Sequence, residues 1–529
     1  MMGIPWAIHP FVFALFRVVS LYAHNYAAMG WREMLAPLGA LLGGCAVAWL
    51  ALRWVVKDRD KRGVLITLAL FVYLFAPPLA EALYPISKGL PQWGVPVHTI
   101  LSLALLAIPA ALIVVWIVRT PKSCALATKL LNVIALCAVA IPLLSVGLQA
   151  TTAALVQRRH AAGFVPSVVK GAFDTPDIYY IVLDGYARED VFRHIYGGDN
   201  SAFLQRLRNK GFYIADSARA NYCQTYLSLA SSLNSTPLDG LAEELGPASE
   251  DRGPLRQMIE HSNVVEFLRA RRYVFVAFDS GYSGTKMTTA DVLLEPEESM
   301  SEADAVLANA HLLPGLSIST QRRFALHRAR LRYTFERLAD MPERDTPQFV
   351  FAHIVAPHPP FVFNADGMPV QHEKRFGFHD GDAYMQRNSR EQYVAGYREQ
   401  LQFISSQLEG TLDAILARTP DALILVQSDH GPGSLLSWGS AEKTNMWERL
   451  SILSAYYLPN GGHTKLYPDI TPVNSFGVVF DHYFGTTFER HPDKSYYATY
   501  SRPYALVDVT ARAKLGPSDT PSAPPVPQP

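Results

Sequence analysis

Cysteine is scarce in this sequence: four occur in 529 residues. Cys45, Cys124 and Cys137 fall within or beside apolar runs, where a free thiol behaves as a small hydrophobe. Cys223 stands alone in the remainder of the chain. This distribution excludes a disulfide scaffold. No CxxC or Cys/His ribbon spacing occurs, so any bound metal must rely on Asp, His and hydroxyl ligands. Net charge is also lacking: 47 basic residues balance 47 acidic ones. No global field recruits nucleic acid, which is not an expected partner. Internal repeats are absent as well.

What is present is unevenly spread. Apolar residues concentrate before residue 156, in runs near 9–29, 34–56, 64–83, 98–118 and 130–150. Each approaches the roughly 20 residues that cross a bilayer core. The first carries His9, Arg17, His24 and Asn25, which also suits an interfacial helix. The loop after the second run reads VKDRDKRG and that after the fourth RTPKS, whereas the other loops carry only Arg32 and Lys88. Basic loops stay in the cytoplasm. The expectation is five spans (1–150), the N-terminus inside, and everything beyond residue 151 in the periplasm or outside the cell. The membrane would then be the inner (plasma) membrane.

Residues 151–175 read as a connector, and 513–529 as a Pro-rich disordered tail. Between them, short apolar runs end at turns: DIYYIVLDGY, YVFVAFDS, QFVFAHIVAPHP, DALILVQSDHG and SILSAYYLP. Amphipathic stretches separate them, such as NVVEFLRARR and REQYVAGYREQLQFISSQLEGTLDAILAR. Alternation of this kind predicts an α/β domain over 176–512, with its sheet buried on both faces.

In an open α/β sheet, ligands bind at the carboxyl ends of the strands. Two runs end in metal-competent groups, Asp184 in VLDGY and Asp429-His430 in QSDHG; a third delivers His353 and His358. A lone strand-end Asp is usually a turn or a cap, and a lone His usually structural. The segment NYCQTYLSLASSLN supplies a further part. Its Tyr226, Leu227, Leu229, Ala230 and Leu233 fit a short helix with Thr225 near its N-terminus, where free N–H groups favour an anion. A bound cation held by Asp184, Asp429 and His430 could take Thr225 as a reactive fourth ligand and activate its hydroxyl. An N-cap role for Thr225 is compatible with this.

VLDGY, then CQTYLSLASSL, then QSDHG resemble the alkaline phosphatase and sulfatase superfamily. The resemblance is strongest to its membrane-anchored branch, the phosphoethanolamine transferases and lipoteichoic acid synthases. It implies an N-terminal five-helix transmembrane domain followed by an alkaline-phosphatase-like α/β/α domain. By motif, it makes Asp184, Asp429 and His430 metal ligands and Thr225 the nucleophile that becomes phosphorylated. It also brings His358, with His353 beside it, to the substrate phosphoryl group. Asp184 stands where those transferases usually have Glu, and the further histidine expected after SDHG is not obvious; Asn445, Arg449 and His463 are candidates. The Asp/His pair of two-metal members is missing, so one zinc or manganese ion is expected. Sulfatases mature a cysteine or serine within C-x-P/A-x-R; CQTYL lacks that signal, leaving Thr225 and not Cys223 as the expected nucleophile. The expected reaction moves a phosphoalcohol from a membrane phospholipid to an envelope glycan or lipid. The alternatives are a tethered phosphate or sulfate ester hydrolase and an inactive envelope-assembly scaffold.

Overall fold

The computed structural model describes residues 6–26, 29–87, 97–163, 175–299, 319–371 and 376–516, with 304 and 307. It divides into two compact units, one of Met1–Thr151 with Glu302–Ile318, the other of Thr152–Ser301 with Ser319–Pro529.

The first unit is helical: α1 His9–His24, α2 Leu35–Leu52, α3 Arg59–Ser87, α4 Val97–Arg119 and α5 Ala125–Gly163. Among the described residues, four stretches are long and apolar enough to cross a membrane: Trp31–Leu52, Arg59–Ala80, Val97–Arg119 and Ala125–Val156. α1 has 16 residues, which at about 1.5 Å per residue fall short of a hydrocarbon core of about 30 Å. Part of its N-terminal polar surface is paired within the unit, while His9 Nε2 and Arg17 Nε are buried without a hydrogen-bond partner. His9 Nδ1 lies 2.6 Å from Thr67 Oγ1, and the Asn132 side chain accepts from the His9 backbone at 2.9 Å and donates to Trp6 O at 2.8 Å. α5 extends to Gly163, so the first part of the expected connector is helical. The reason is local: TTAALVQ holds no glycine or proline to stop a helix begun upstream. The rest of that connector and residues 517–529 of the expected tail lie outside the described residues.

The second unit is built on a seven-stranded sheet of β1 Ile178–Leu183, β2 Tyr213–Ile214, β3 Val274–Phe278, β4 Val292–Leu294, β5 Gln348–Ile354, β6 Leu423–Gln427 and β7 Ser454–Tyr457. The order is β2-β7-β6-β1-β5-β3-β4. Strands β6, β1, β5, β3 and β4 run parallel, while β7 pairs antiparallel with both β6 and β2. β1 sits between β5 and β6, with Val182 opposite both His353 and Gln427. All residues of β1, β5 and β6 are buried, as continuous apolar runs covered on both faces must be. The core joins sheet residues Tyr180, Phe351 and Leu425 to Leu227 and Leu229 of the helix Thr225–Ser232. A two-stranded sheet, β8 Tyr496–Thr499 with β9 Arg502–Asp508, completes the unit.

Candidate active site

Parallel β1, β5 and β6 end side by side, and their following turns build the site. Asp184 follows β1; its N–H donates to Ile354 O at 2.9 Å and its carbonyl accepts from His358 N at 3.0 Å. Gly185 next to it has φ of 71°, a left-handed conformation that disfavours a side chain. Its N–H donates to Asp429 Oδ1 at 3.2 Å, joining the VLDGY turn to the QSDHG turn. In the latter, a Cβ on Gly431 would lie 2.1 Å from Glu448 O, so only glycine fits there. Both motif glycines therefore have steric reasons.

The candidate groups converge on these turns. Asp184 and Asp429 are buried, as are His353 and His430. His430 Nε2 lies 3.3 Å from Asp429 Oδ2 and 3.6 Å from Asp184 Oδ1, and His353 Nε2 lies 3.4 Å from Asp184 Oδ2. One ligand atom each from Asp184, His353 and Asp429 fall within 4.8 Å of one another. Asp184 Oδ1, Asp429 Oδ2 and His353 Nε2 are buried with no hydrogen-bond partner. Buried polar atoms are otherwise paired, because each orphan costs about 1–3 kcal/mol. Three orphaned acceptors facing one another fit a divalent cation, and the donor set of carboxylates, imidazoles and a hydroxyl suits zinc or manganese.

The electrostatics agree. Burial alone would push the Asp184 carboxyl up, yet His358, His353 and His430 around it hold it well below the usual carboxylate range. Burial, then the Arg449 charge, keeps His430 below its ordinary value. That direction favours a neutral His430, the form a metal ligand would need. Its Nδ1 is 3.0 Å from Gly431 O, which can only accept, so Nδ1 carries the proton and Nε2 is bare.

Thr225 is the first residue of its helix, with Gln224 as the N-cap, so it does not itself cap the helix. Its side chain is half-buried, and its Oγ1 lies 3.2 Å from the bare His430 Nε2, to which the hydroxyl donates. Cys223 differs in every respect. It is wholly buried, burial pushes its thiol up, and its Sγ accepts from Ala498 N at 3.3 Å. A protonated thiol packed against β8 is a poor nucleophile.

His358 is brought to the same place: its Nδ1 lies 2.5 Å from Pro359 O, and its Nε2 is 3.9 Å from Asp380 Oδ2. Asp380, which the sequence reading missed, is fully engaged. It accepts from Arg449 Nη1 at 2.6 Å and from Tyr393 at 2.7 Å. Burial pushes its carboxyl up, but Arg449, His358, the Tyr393 hydroxyl and His430 together hold it below the ordinary value, so the carboxylate remains ionised. Arg449 also donates from Nε to Cys223 O at 3.0 Å and from Nη1 to Gly431 O at 2.9 Å. One buried guanidinium thus ties the Thr225 turn, the His430 turn and Asp380 together. Among the candidates for the missing histidine, Arg449 is the one at the site. Asn445 is an N-cap accepting from Glu448 N, and His463 lies exposed in the turn Gly462–Lys465. Asp380 sits in FHDGDAY, whose DG pair reads only as a turn.

Comparison with known proteins supplies a family. No curated protein sequence matches the chain. Among solved structures, the C-terminal periplasmic domain of EptC from Escherichia coli, in complex with Zn, is similar at 9% identity and TM-score 0.43, over 67% of this chain and 98% of that one. The integral membrane lipooligosaccharide phosphoethanolamine transferase A from Neisseria meningitidis is similar at 11% identity and TM-score 0.41, over 90% of this chain and 93% of that one. A phosphonate monoester hydrolase of Agrobacterium radiobacter is similar at 13% identity and TM-score 0.38, over 61% of this chain and 80% of that one. The family model described as Sulfatase matches residues 176–477, more than half the chain and all the turns that build the site, so this protein belongs to the sulfatase family of enzymes.

Proposed function

We propose that this enzyme is anchored in the inner membrane and moves a phosphoalcohol group from a phospholipid to an envelope glycan or lipid, through a phosphorylated Thr225. The observation that carries this reading is the Thr225 hydroxyl, 3.2 Å from His430 Nε2 and beside buried carboxylates whose outer oxygens lack donors. Asp184, Asp429 and His430, with Thr225, would hold the one divalent cation, zinc or manganese. When bound, that cation supplies a lowered hydroxyl pKa and charge to offset the phosphoryl oxygens.

Thr225 is placed to attack because its helix runs into the core and fixes the hydroxyl at the strand ends. The Thr225 oxygen forms a bond to phosphorus as the ester bond to the glycerol oxygen breaks, and the proton shed by the threonine ends on that departing oxygen. An acceptor hydroxyl then takes the phosphorus and returns a proton to Thr225. His358, whose Nδ1 lies 2.5 Å from Pro359 O, leaves Nε2 to contact the substrate phosphoryl group.

The helical unit supplies the anchor and the side. The α2–α3 junction, with Lys57, Arg59, Lys61 and Arg62, and the α4–α5 junction, with Arg119 and Lys122, belong in the cytoplasm. The pairing of α2 with α3 and of α4 with α5 then delivers the second unit outside, whether or not α1 spans. Diacylglycerol is a leaving group that a bilayer absorbs.

Incubating the full-length protein with labelled phosphatidylethanolamine or phosphatidylglycerol tests the reading. The expected results are released diacylglycerol and a phosphoalcohol mass shift on the peptide containing Thr225. Brisk hydrolysis of a soluble phosphate or sulfate ester with no diacylglycerol would favour the tethered hydrolase, the reading closest to the family description. Absence of metal and of any turnover would favour the scaffold.

A further inference from the structure

His353 has one ring nitrogen among the site carboxylates and the other turned away from them, toward a loop that the reaction above does not use. That loop follows β3 and contains the turn Ser283–Thr285. His353 Nδ1 lies 2.9 Å from Thr285 Oγ1, and Thr285 is completely buried. Thr285 Oγ1 is in turn 2.8 Å from Ser280 Oγ, and Ser280 Oγ donates to Tyr282 O at 3.2 Å while accepting from Tyr282 N at 3.0 Å. A hydroxyl has one proton and two lone pairs, so the chain has a direction. Run outward, from Nδ1–H through Thr285 and Ser280 to the Tyr282 carbonyl, every proton lands on an acceptor. Run inward, the imidazole proton must sit on Nε2, where the facing atom is Asp184 Oδ2 at 3.4 Å, beyond the usual hydrogen-bond length. Nε2 is also buried without a hydrogen-bond partner, as are Asp184 Oδ1 and Asp429 Oδ2. An outward relay leaves a bare imidazole nitrogen facing two carboxylates.

We propose that Thr285 is a positioning residue that holds His353 in the tautomer with a bare Nε2, making His353 a ligand of the divalent cation and not a substrate contact. This rests on the metal-dependent reading above. It adds a ligand that the motif comparison does not supply, and it ties the cation to the loop after β3 as well as to β1 and β6. Such outer partners of ligating histidines fix ring orientation and basicity, and their loss lowers metal affinity about 10–100-fold.

The test uses the full-length protein in detergent, stripped with chelator. Zinc is titrated against a chromophoric competitor, and cobalt is followed by its visible d–d bands. Thr285→Val, nearly isosteric, should weaken zinc binding about 10–100-fold and alter the cobalt spectrum. Thr285→Ser should restore both, which a merely structural role for the methyl group would not produce. Ser280→Ala, one bond further out, should show a smaller loss in the same direction, and His353→Ala should match Thr285→Val. Wild-type affinity and an unchanged cobalt spectrum in Thr285→Val, or wild-type affinity in His353→Ala, would overturn the proposal while leaving the metal centre intact. Failure of the wild-type protein to take up either metal would overturn the metal centre and this proposal together.

Discussion

The two units use the same apolar residues in opposite ways. In α4, Ile108, Leu112 and Trp116 are 61–68% exposed, whereas no residue of β1 exceeds 3%. The helices gain nothing in water from such a surface; contiguous apolar area on this scale marks an apolar surrounding phase. The sheet unit faces water and builds its site in the interior, where low polarity strengthens charge interactions and penalises orphaned atoms. One unit is matched to its solvent, and the other excludes it. Chemistry belongs to the second.

The largest effect that could break this division is on turnover. Thr225→Ala should abolish turnover and phospho-enzyme formation while thermal stability and metal content remain near wild type. Cys223→Ser should retain most activity, since its thiol is a packing group. The reverse pattern would move the chemistry to the cysteine.

Next comes the guanidinium that braces the site. Arg449→Met leaves Asp380 buried beside an apolar chain, and removing one partner of a buried ion pair costs about 3–5 kcal/mol. A large drop in the melting temperature of the second unit is expected, with Asp380→Asn/Arg449→Met milder than the single change. A double variant that costs the sum of the two single changes would mean that the pair is not coupled.

A matched pair of surface changes sharpens the contrast directly. Ile108→Lys at an exposed position of α4 should cost about 2.5–3.5 kcal/mol in insertion. Val507→Lys, on an exposed position of β9, should stay within about 0.5 kcal/mol. Similar tolerance at both sites, measured by membrane-integrated yield and melting temperature, would contradict a hydrocarbon surround for the helices.

The last effect depends on pH and is smallest near neutrality. His327 is buried against Phe376 and Phe378, and burial, then Arg330 and His358, holds it down to about 3. The native state refuses a proton that the unfolded chain accepts below its ordinary value of 6.5. Stability should therefore be flat above that value and fall by about 1.4 kcal/mol per pH unit as acid is added, down to the native value. His327→Phe should flatten this slope in melting temperature against pH. An unchanged slope would assign the acid sensitivity elsewhere.

Much of this was legible in sequence. Continuous apolar runs ending in VLDGY and QSDHG announced β1 and β6 with the candidate ligands at their ends, because buried parallel strands have a plain composition and strand-end turns have few solutions. Thr225 was legible through the apolar pattern behind it. Asp380, Thr285 and the part played by Arg449 were not. Each has a deciding partner far along the chain, Arg449 to Asp380 being 69 positions and Thr285 to His353 being 68, and no local pattern encodes such a pairing. The end of α5 was misplaced for a milder reason: helix propensity carries past the apolar run that first signals the helix.

The position of β1 at the centre of the sheet has a consequence in time. Gly185 meets Asp429 across 244 residues of chain. At about 5–20 residues per second, β1 and its turn are made roughly 12–50 s before that partner exists. Until β5 is made, IYYIVL has neither edge paired, an extended apolar segment of the kind that recruits other strands. The nascent chain must therefore be shielded, by export machinery or by attendants at the membrane surface, until β5 and β6 arrive. Truncation before residue 423 should leave a product that aggregates instead of a smaller working domain.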